Sequence, residues 1–334
     1  MTFKHDPQKL MWIIYSFIRA ETWEESRRIL EAHPELLTDK ADAVLGQLVQ
    51  VQEDQDARRF LEGLRALLRR CRKVGVEQAF AELSGPPIPP EFQADLRRAQ
   101  EGGARYWQTR DLAALNEAIA AWERILNHSA FSQADERFRL GVWNDAGGAY
   151  LRRYWRTGNI ADLDKALALW RQAVEATPLD SPYRPAILNN LGEGLRARYE
   201  RTGRLEDLEE AIRVFREAVE ATPPDSPEWP TILSNLGIGL ALRYERTGRL
   251  EDLEAAISVL REAVEATPPG SPDRPAILNN LGNGLRARYG RTGRLEDLEE
   301  AIRVYRESVE ATPPGSPDRP GFLNNLGTGL RNRY

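Results

Sequence analysis

Cysteine, histidine and long apolar runs are scarce in this chain of 334 residues, and each scarcity removes a class of function. A single cysteine, Cys71, forbids an intramolecular disulfide and fits a reducing cytosol. Only His5, His33 and His128 represent histidine, and none has metal-ligand spacing with another ligand, so no metal and no other cofactor is expected. There is no phosphate loop and no Gly-x-Ser-x-Gly elbow, so the residues do not support an enzyme. The apolar stretch 10–18 is too short to span a bilayer, and the opening Met-Thr-Phe-Lys-His-Asp-Pro lacks a signal-peptide pattern. No membrane partner is expected, and the expected location is cytoplasmic. Basic residues are not in excess either. The net charge is −5, which argues against a nucleic-acid partner.

What the chain has instead is internal repetition. Residues 181–225, 226–270 and 271–315 are one 45-residue unit written three times, with the landmark Arg-Thr-Gly at 201–203, 246–248 and 291–293. The first and third copies differ at six positions only: 183/273, 193/283, 200/290, 215/305, 218/308 and 225/315. A fixed period of this length marks a stacked array, in which each unit buries its apolar face on its neighbours. Fainter copies precede these. Tyr106, Leu115, Ala118-Ile119 and Trp122 answer to Tyr154, Leu163, Ala166-Leu167 and Trp170. The units run at about 91–136, 137–180, 181–225, 226–270 and 271–315, with a partial one at 316–334.

Each unit reads as two antiparallel helices. Pro230 suits a first helical residue, because its missing N–H would be unpaired there anyway. Gly248 suits a C-terminal cap with positive φ. Leu250, Leu253, Ala256-Ile257, Leu260, Ala263 and Val264 mark the second helix by their three- and four-residue spacing. Gly237 falls inside the first helix, as do Gly147, Gly192, Gly282 and Gly327. A mid-helix glycine costs about 1 kcal/mol relative to alanine, so its recurrence predicts a close helix–helix contact there. Residues 1–84 read as a separate helical domain, with helices expected at 40–52, 56–73 and 76–83 and a capping box from Thr22 to Glu25. Residues 85–90, Gly-Pro-Pro-Ile-Pro-Pro, read as a stiff linker. The helix 56–73 is expected to bury Phe60, Leu64, Leu67, Leu68 and Cys71 and to wet Arg58, Arg65, Arg69 and Arg72.

These units resemble the tetratricopeptide repeat. Leu188, Leu191-Gly192 and Leu195 match that family's first helix, and Ala211, Phe215, Ala218 and Pro223 its second. The unit is longer than the usual repeat, of about 34 residues. It is similar to the long-repeat variety of bacterial signalling and defence proteins, often found beside a caspase-like CHAT protease domain, of which no His/Cys pair is present here. The resemblance covers about 91–334. It implies an all-α protein: a helical N-terminal domain, then a right-handed α-solenoid of two-helix repeats whose concave wall is lined by the first helices. It also implies a non-catalytic scaffold that holds a protein or peptide segment in that groove. Self-assembly through the array ends, giving a homo-oligomer, and a sensor role within a larger effector are the rival expectations.

The groove positions are expected at 189, 193, 196, 197 and 200 and their equivalents. Position 193 runs Gly148, Glu193, Ile238, Asn283, Thr328, a different residue in every unit. Change concentrated at one outward position points to a tuned binding surface, with neutral drift as the alternative. The unit 226–270 replaces Glu193, Arg196 and Ala197 by Ile238, Ala241 and Leu242, and carries Trp229 where its neighbours have Arg184 and Arg274. Exposed apolar residues gathered in one place mark interaction sites; the alternative is packing on neighbouring helices. Asn190, Asn235, Asn280 and Asn325 form a ladder whose amides suit a peptide main chain, or else a hydrogen bond to an adjacent loop. The candidate partner-binding residues are therefore Asn190, Glu193, Arg196, Trp229, Asn235, Ile238, Leu242, Asn280, Asn283 and Arg286. Arg196, Arg198 and Arg201 among their glutamates read as a solvated, ion-paired face. Asp162, Asp207, Asp252 and Asp297 read as favouring helix N-termini.

Overall fold

A computed structural model describes residues 7–20, 23–52, 54–84 and 88–333. All secondary structure among these residues is helical, without a strand. The chain divides into two compact units, 1–89 and 90–334.

The N-terminal unit contains α1 (Pro7–Ile18), α2 (Trp23–Ala32), α3 (Asp39–Val51), α4 (Gln55–Val74) and α5 (Val76–Ser84). The Thr38 hydroxyl accepts from the N–H of Ala41 and opens α3; the Asp54 carboxylate accepts from Ala57 and opens α4. Each satisfies one donor that a helix start leaves unpaired. Ile14, Phe17, Leu30, Leu36, Leu45 and Leu68 are fully buried in the core. Cys71 lies among them at 2% exposure, and burial raises its thiol pKa, which makes it a poor nucleophile.

Two expectations for α4 need correction. Phe60 is 49% exposed, so it lies off the apolar face that Leu64, Leu67, Leu68 and Cys71 share. The basic side is not simply wet. Arg65 and Arg69 both grip Asp42, at 2.7–3.0 Å, and Arg72 pairs with Asp39 at 2.9 Å. These bonds hold the Asp42 carboxyl well below the usual carboxylate range. The expected Thr22 cap and half of the expected linker, 85–87, lie outside the described residues. Pro90 is already helical.

The second unit is a row of helix pairs. They are α6 (Pro90–Thr109) with α7 (Leu112–Leu126), α8 (Glu136–Thr157) with α9 (Ile160–Ala176), and α10 (Arg184–Thr202) with α11 (Leu205–Ala221). Then come α12 (Trp229–Thr247) with α13 (Leu250–Ala266), α14 (Arg274–Thr292) with α15 (Leu295–Ala311), and α16 (Arg319–Arg331). The proline expected to open each first helix stands second, behind Arg184, Trp229, Arg274 or Arg319.

The Arg-Thr-Gly landmark is the hairpin that reverses the chain inside a unit. The Thr202 hydroxyl donates to the carbonyl of Arg198 and accepts from the N–H of Arg204. Gly203 follows at φ 71°, a region costly for any residue with a Cβ. The mid-helix glycine is explained by packing. A Cβ on Gly192 would stand 2.5 Å from the ring of Phe215. First and second helices therefore meet at backbone-to-ring distance, as the recurrent glycine predicts.

A second device joins the pair. Arg198 places two donors on the two oxygens of Asp207, at 3.0 and 2.6 Å, and Arg153–Asp162, Arg243–Asp252 and Arg288–Asp297 repeat the fork. The four aspartates are 2–7% exposed. They occupy first turns as expected, but their dominant partner is a guanidinium of the preceding helix rather than the helix dipole. Arg198 thus leaves the solvated face to which its sequence context assigned it. A third device joins successive units. Arg184, Arg274 and Arg319 donate to the last carbonyls of the preceding second helix, such as Val264 and Thr267. The Val264 carbonyl also accepts from the N–H of Thr267 at 3.3 Å, so the arginine adds a second bond at a helix end where carbonyls run short of donors.

Candidate functional site

First helices of successive units touch one another directly, α8 with α10, α10 with α12, α12 with α14 and α14 with α16, whereas second helices approach less closely. The spacing is closer on the first-helix side, so that side forms the inner wall of the array. Second helices reach each other through long side chains, such as Arg171 to Glu210 and Arg261 to Glu300.

The asparagine ladder runs along the inner wall. Asn190 donates to the Oδ1 of Asn144 at 2.8 Å, Asn235 to Asn189 at 2.9 Å, and Asn325 to Asn279 at 2.9 Å. Asn235 also donates to Glu193 at 3.1 Å. In the remaining rung Asn280 donates to the Ser234 hydroxyl at 3.3 Å. The ladder therefore bonds not to an adjacent loop but to the neighbouring first helix. It ties each first helix to the next through one amide bond per rung, with a second from Asn235 to Glu193. The opposing Asn189 position is part of the same device, which the sequence reading treated separately.

The expected groove positions divide. Glu193, Ile238, Asn283, Arg196 and Arg286 are half-buried at the inner wall. Ala197 is buried at 5%, so it belongs to the core and not to the open groove. A depression of about 340 Å³ lies between α12 and α14 and gathers Ile238, Leu242, Asn280, Asn283, Arg286 and Asn325. Asn190, Glu193, Arg196 and Asn235 lie one rung back. Trp229 is elsewhere. It stands nine residues before Ile238 on α12 and packs with Leu233, Ala263 and Ile277. It fills apolar space where its counterparts Arg184 and Arg274 cap a helix, and so does not join Ile238 and Leu242.

The depression holds a charge feature that sequence reading missed. In the unit 181–225 Arg196 pairs with Glu200 at 2.5 Å. In the next unit the arginine is replaced by Ala241 and the glutamate kept as Glu245; in the unit after it the arginine is kept as Arg286 and the glutamate replaced by Gly290. The pair is split between two neighbours. Glu245 and Arg286 both line the depression, and neither has an ion pair among the described residues. The Arg286 Nε is buried without a hydrogen-bond partner, as is that of the paired Arg196, so it is the missing carboxylate and not this atom that sets Arg286 apart. A buried donor left unpaired costs about 1–3 kcal/mol, and a ligand that satisfies it recovers that cost. Asn283 is held from the other side, since the Tyr305 hydroxyl donates to its Oδ1 at 2.8 Å. The signal for the split pair was present at positions 196 and 200, read together across units.

Another depression, of about 430 Å³, lies between α7, α8 and α9. In it Tyr150 donates to Glu123 at 2.5 Å and Lys165 reaches both. Burial, and then the bond to Glu123, push the Tyr150 hydroxyl up to about 12, while Tyr150 and Lys165 hold the Glu123 carboxyl below its ordinary value. At neutral pH this trio is charge-satisfied and offers no group poised for proton transfer. Among the described residues no cluster of His, Cys, Asp and Glu could hold a metal ion, and no helix is long and apolar enough to cross a membrane.

Residues 186–228 and 276–318 match the family model of the tetratricopeptide repeat. No curated protein is similar in sequence to the chain. Among solved structures, a thermophilic TPR protein of Thermus thermophilus is 19% identical, with 71% of this chain and 99% of that one aligned and a TM-score of 0.46. A putative kinesin light chain of Podosopora anserina with nearly identical TPR-like repeats is 17% identical over 65% of this chain and 97% of that one, with a TM-score of 0.47. YrrB, a TPR protein with an unusual peptide-binding site, is 16% identical over 70% and 98%, with a TM-score of 0.40. Residues 186–228 and 276–318 are thus tetratricopeptide repeats, and the helix pairs of 90–334 form a tetratricopeptide-like array.

Proposed function

We propose that the array is a non-catalytic scaffold that holds a segment of a partner protein along its first helices, with the anchor point between α12 and α14. The observation that carries this reading is the split ion pair. Glu245 and Arg286 are left without each other's counterparts beside Ile238 and Leu242, in one depression bordered by Asn280 and Asn325. An apolar floor with one cation and one anion outside any ion pair, and with amides adjacent, matches a peptide: a side chain for the floor, and main-chain or charged groups for the rest. Tetratricopeptide repeats mediate protein–protein interaction, which agrees.

The test is retention of captured partners. Interface energy concentrates in a few anchors that cost about 2 kcal/mol or more when truncated. Ile238→Glu combined with Leu242→Arg is therefore expected to lower affinity about thirtyfold or more, at about 1.4 kcal/mol per factor of ten. Glu200→Ala, one unit back, is expected to change little. Full retention by a double variant that melts like the wild type would remove the anchor from this depression. Self-assembly is the second reading. It is motivated by α16, where Leu323 is 47% exposed although its counterparts Leu188, Leu233 and Leu278 are buried. Light scattering separates the two, because a scaffold stays monomeric at micromolar concentration.

A further inference from the structure

The inner wall has a second unusual place, at the other end of the array. The position filled by Glu200, Glu245 and Gly290 in later units is Trp155 in α8 and Trp107 in α6. Both indoles are more than half exposed, at 57% and 54%. Both are more exposed than the half-buried Ile238 and Leu242 of the same wall, and these two occupy the same register in adjacent units.

Two arginines attend them. The guanidinium of Arg110 lies 4.8 Å from the Trp107 ring centroid and that of Arg152 5.3 Å from it. Neither guanidinium forms a hydrogen bond or ion pair among the described residues. Asp145 acts on Arg152 only at a distance and is itself hydrogen-bonded by Asn144. Burial lowers the Arg152 pKa, the sign of a cation short of counter-charge. Arginine at this register is confined to α8: its counterparts are Ala197, Leu242 and Ala287.

The backbone supplies an independent observation. Arg110 has φ 58° and is the one non-glycine residue with positive φ among those described. It closes α6 as Gly158, Gly203, Gly248 and Gly293 close α8, α10, α12 and α14. Glycine would serve the turn without strain, yet here an arginine bears the cost and places its guanidinium on Trp107. Strain of this kind persists where it serves a site.

We propose that Trp107, Trp155, Arg110 and Arg152 form a second docking station, which takes an acidic protein segment: its carboxylates meet the two guanidiniums, and a ring or proline beside them lies on Trp155. Trp155 has no ring or cation partner among the described residues, so its face is available. Single-stranded nucleic acid also uses aromatics with arginines, but it needs a continuous basic track. This site has Glu101, Asp111 and Glu117 close by in sequence and belongs to a chain of net charge −5. The inference rests on the first helices forming a binding wall, and its test separates the two readings.

Random heptapeptides displayed on phage are selected against the full chain, then counter-screened on four variants whose melting is first compared with wild type. Expected are clones that lose at least tenfold in binding to Trp155→Ala and to Arg152→Gln, keep their binding to Ile238→Glu/Leu242→Arg, and carry Asp or Glu beside Pro, Phe, Tyr or Trp. Arg110→Gly should melt higher than wild type and yet bind those clones at least threefold more weakly, a divergence that a purely structural residue would not give. Clones that depend on Ile238 and Leu242 but on neither Trp155 nor Arg152 would overturn the station and leave the groove reading standing. Clones that depend on none of these residues would overturn both. Trp155-dependent clones that are basic or uncharged would overturn the acidic assignment, as would tighter binding of a thymidine 12-mer than of any clone by fluorescence anisotropy.

Discussion

Gly237 and Gly327 hold the same position in their units, but only one of them has a neighbour. A Cβ on Gly237 would meet Leu260 at 2.6 Å, while nothing lies within 4 Å of the Cβ position on Gly327. Alanine gains about 1 kcal/mol of helix propensity at either site. At Gly237 overpacking costs about 1–3 kcal/mol. Gly237→Ala is therefore expected to lower stability and Gly327→Ala to raise it slightly, as read by denaturant midpoints at constant m. Equal shifts would mean that the glycine serves the backbone rather than the ring packing. These glycines were legible because an expensive residue recurring mid-helix needs a steric reason. Ala197 and Phe60 were not, because a helical stripe assigns a face only to within about one residue, and both stand at the edge of a stripe.

Between elements, the forks of arginine on aspartate tie first helix to second. The Arg198 side chain is 17% exposed and that of Asp207 7%. Removing one partner of such a pair strands a buried charge, at about 3–5 kcal/mol, whereas replacing both with apolar residues is often near neutral. Arg198→Met is expected to destabilise the array by that amount, and addition of Asp207→Leu to recover most of it, in chemical denaturation. Equal loss in single and double variants would mean that the pair holds a geometry apolar packing cannot supply. Sequence reading saw both residues and put each to a different use, the arginine in water and the aspartate at a dipole. The nine-residue separation, kept at 153/162, 198/207, 243/252 and 288/297, carried the missing information. It spans one hairpin, and local periodicity has no term for a contact across a turn. The same limit hid the split pair of Glu245 and Arg286, visible only when two positions are followed through three units.

At the scale of the whole molecule, the helix pairing and the period were legible because each unit states them again, and errors do not accumulate in a repeated text. Which of the candidate groove residues share one place was only half legible. Ile238, Leu242, Asn280, Asn283 and Arg286 meet, but Trp229 departs, because α12 is long enough to take its two ends to different neighbours. The terminal helix tests the cooperativity of the row. Ile302 and Tyr305 lie against Gly329 of α16 and are 3% and 0% exposed. Truncation after Gly315 is expected to uncover them and to drive aggregation, since the ends of such arrays need a polar outer face. A truncated chain that stays monomeric by light scattering, with an unchanged melting midpoint, would show that α16 covers nothing that matters.

The units 181–225 and 271–315 share their hairpins, glycine contacts, arginine forks and helix caps. Their core differences come in a form that the fold absorbs: Tyr305 reaches Asn283 where Phe215 has no hydroxyl, and Ser308 bonds the carbonyl of Pro275 where Ala218 bonds nothing. A gene that gains or loses one such segment by unequal exchange therefore encodes a chain with no new kind of joint. Inheritance can lengthen or shorten this wall in whole steps, while point changes at the position of Glu193, filled by Gly148, Ile238, Asn283 and Thr328 in the other units, alter its surface one step at a time.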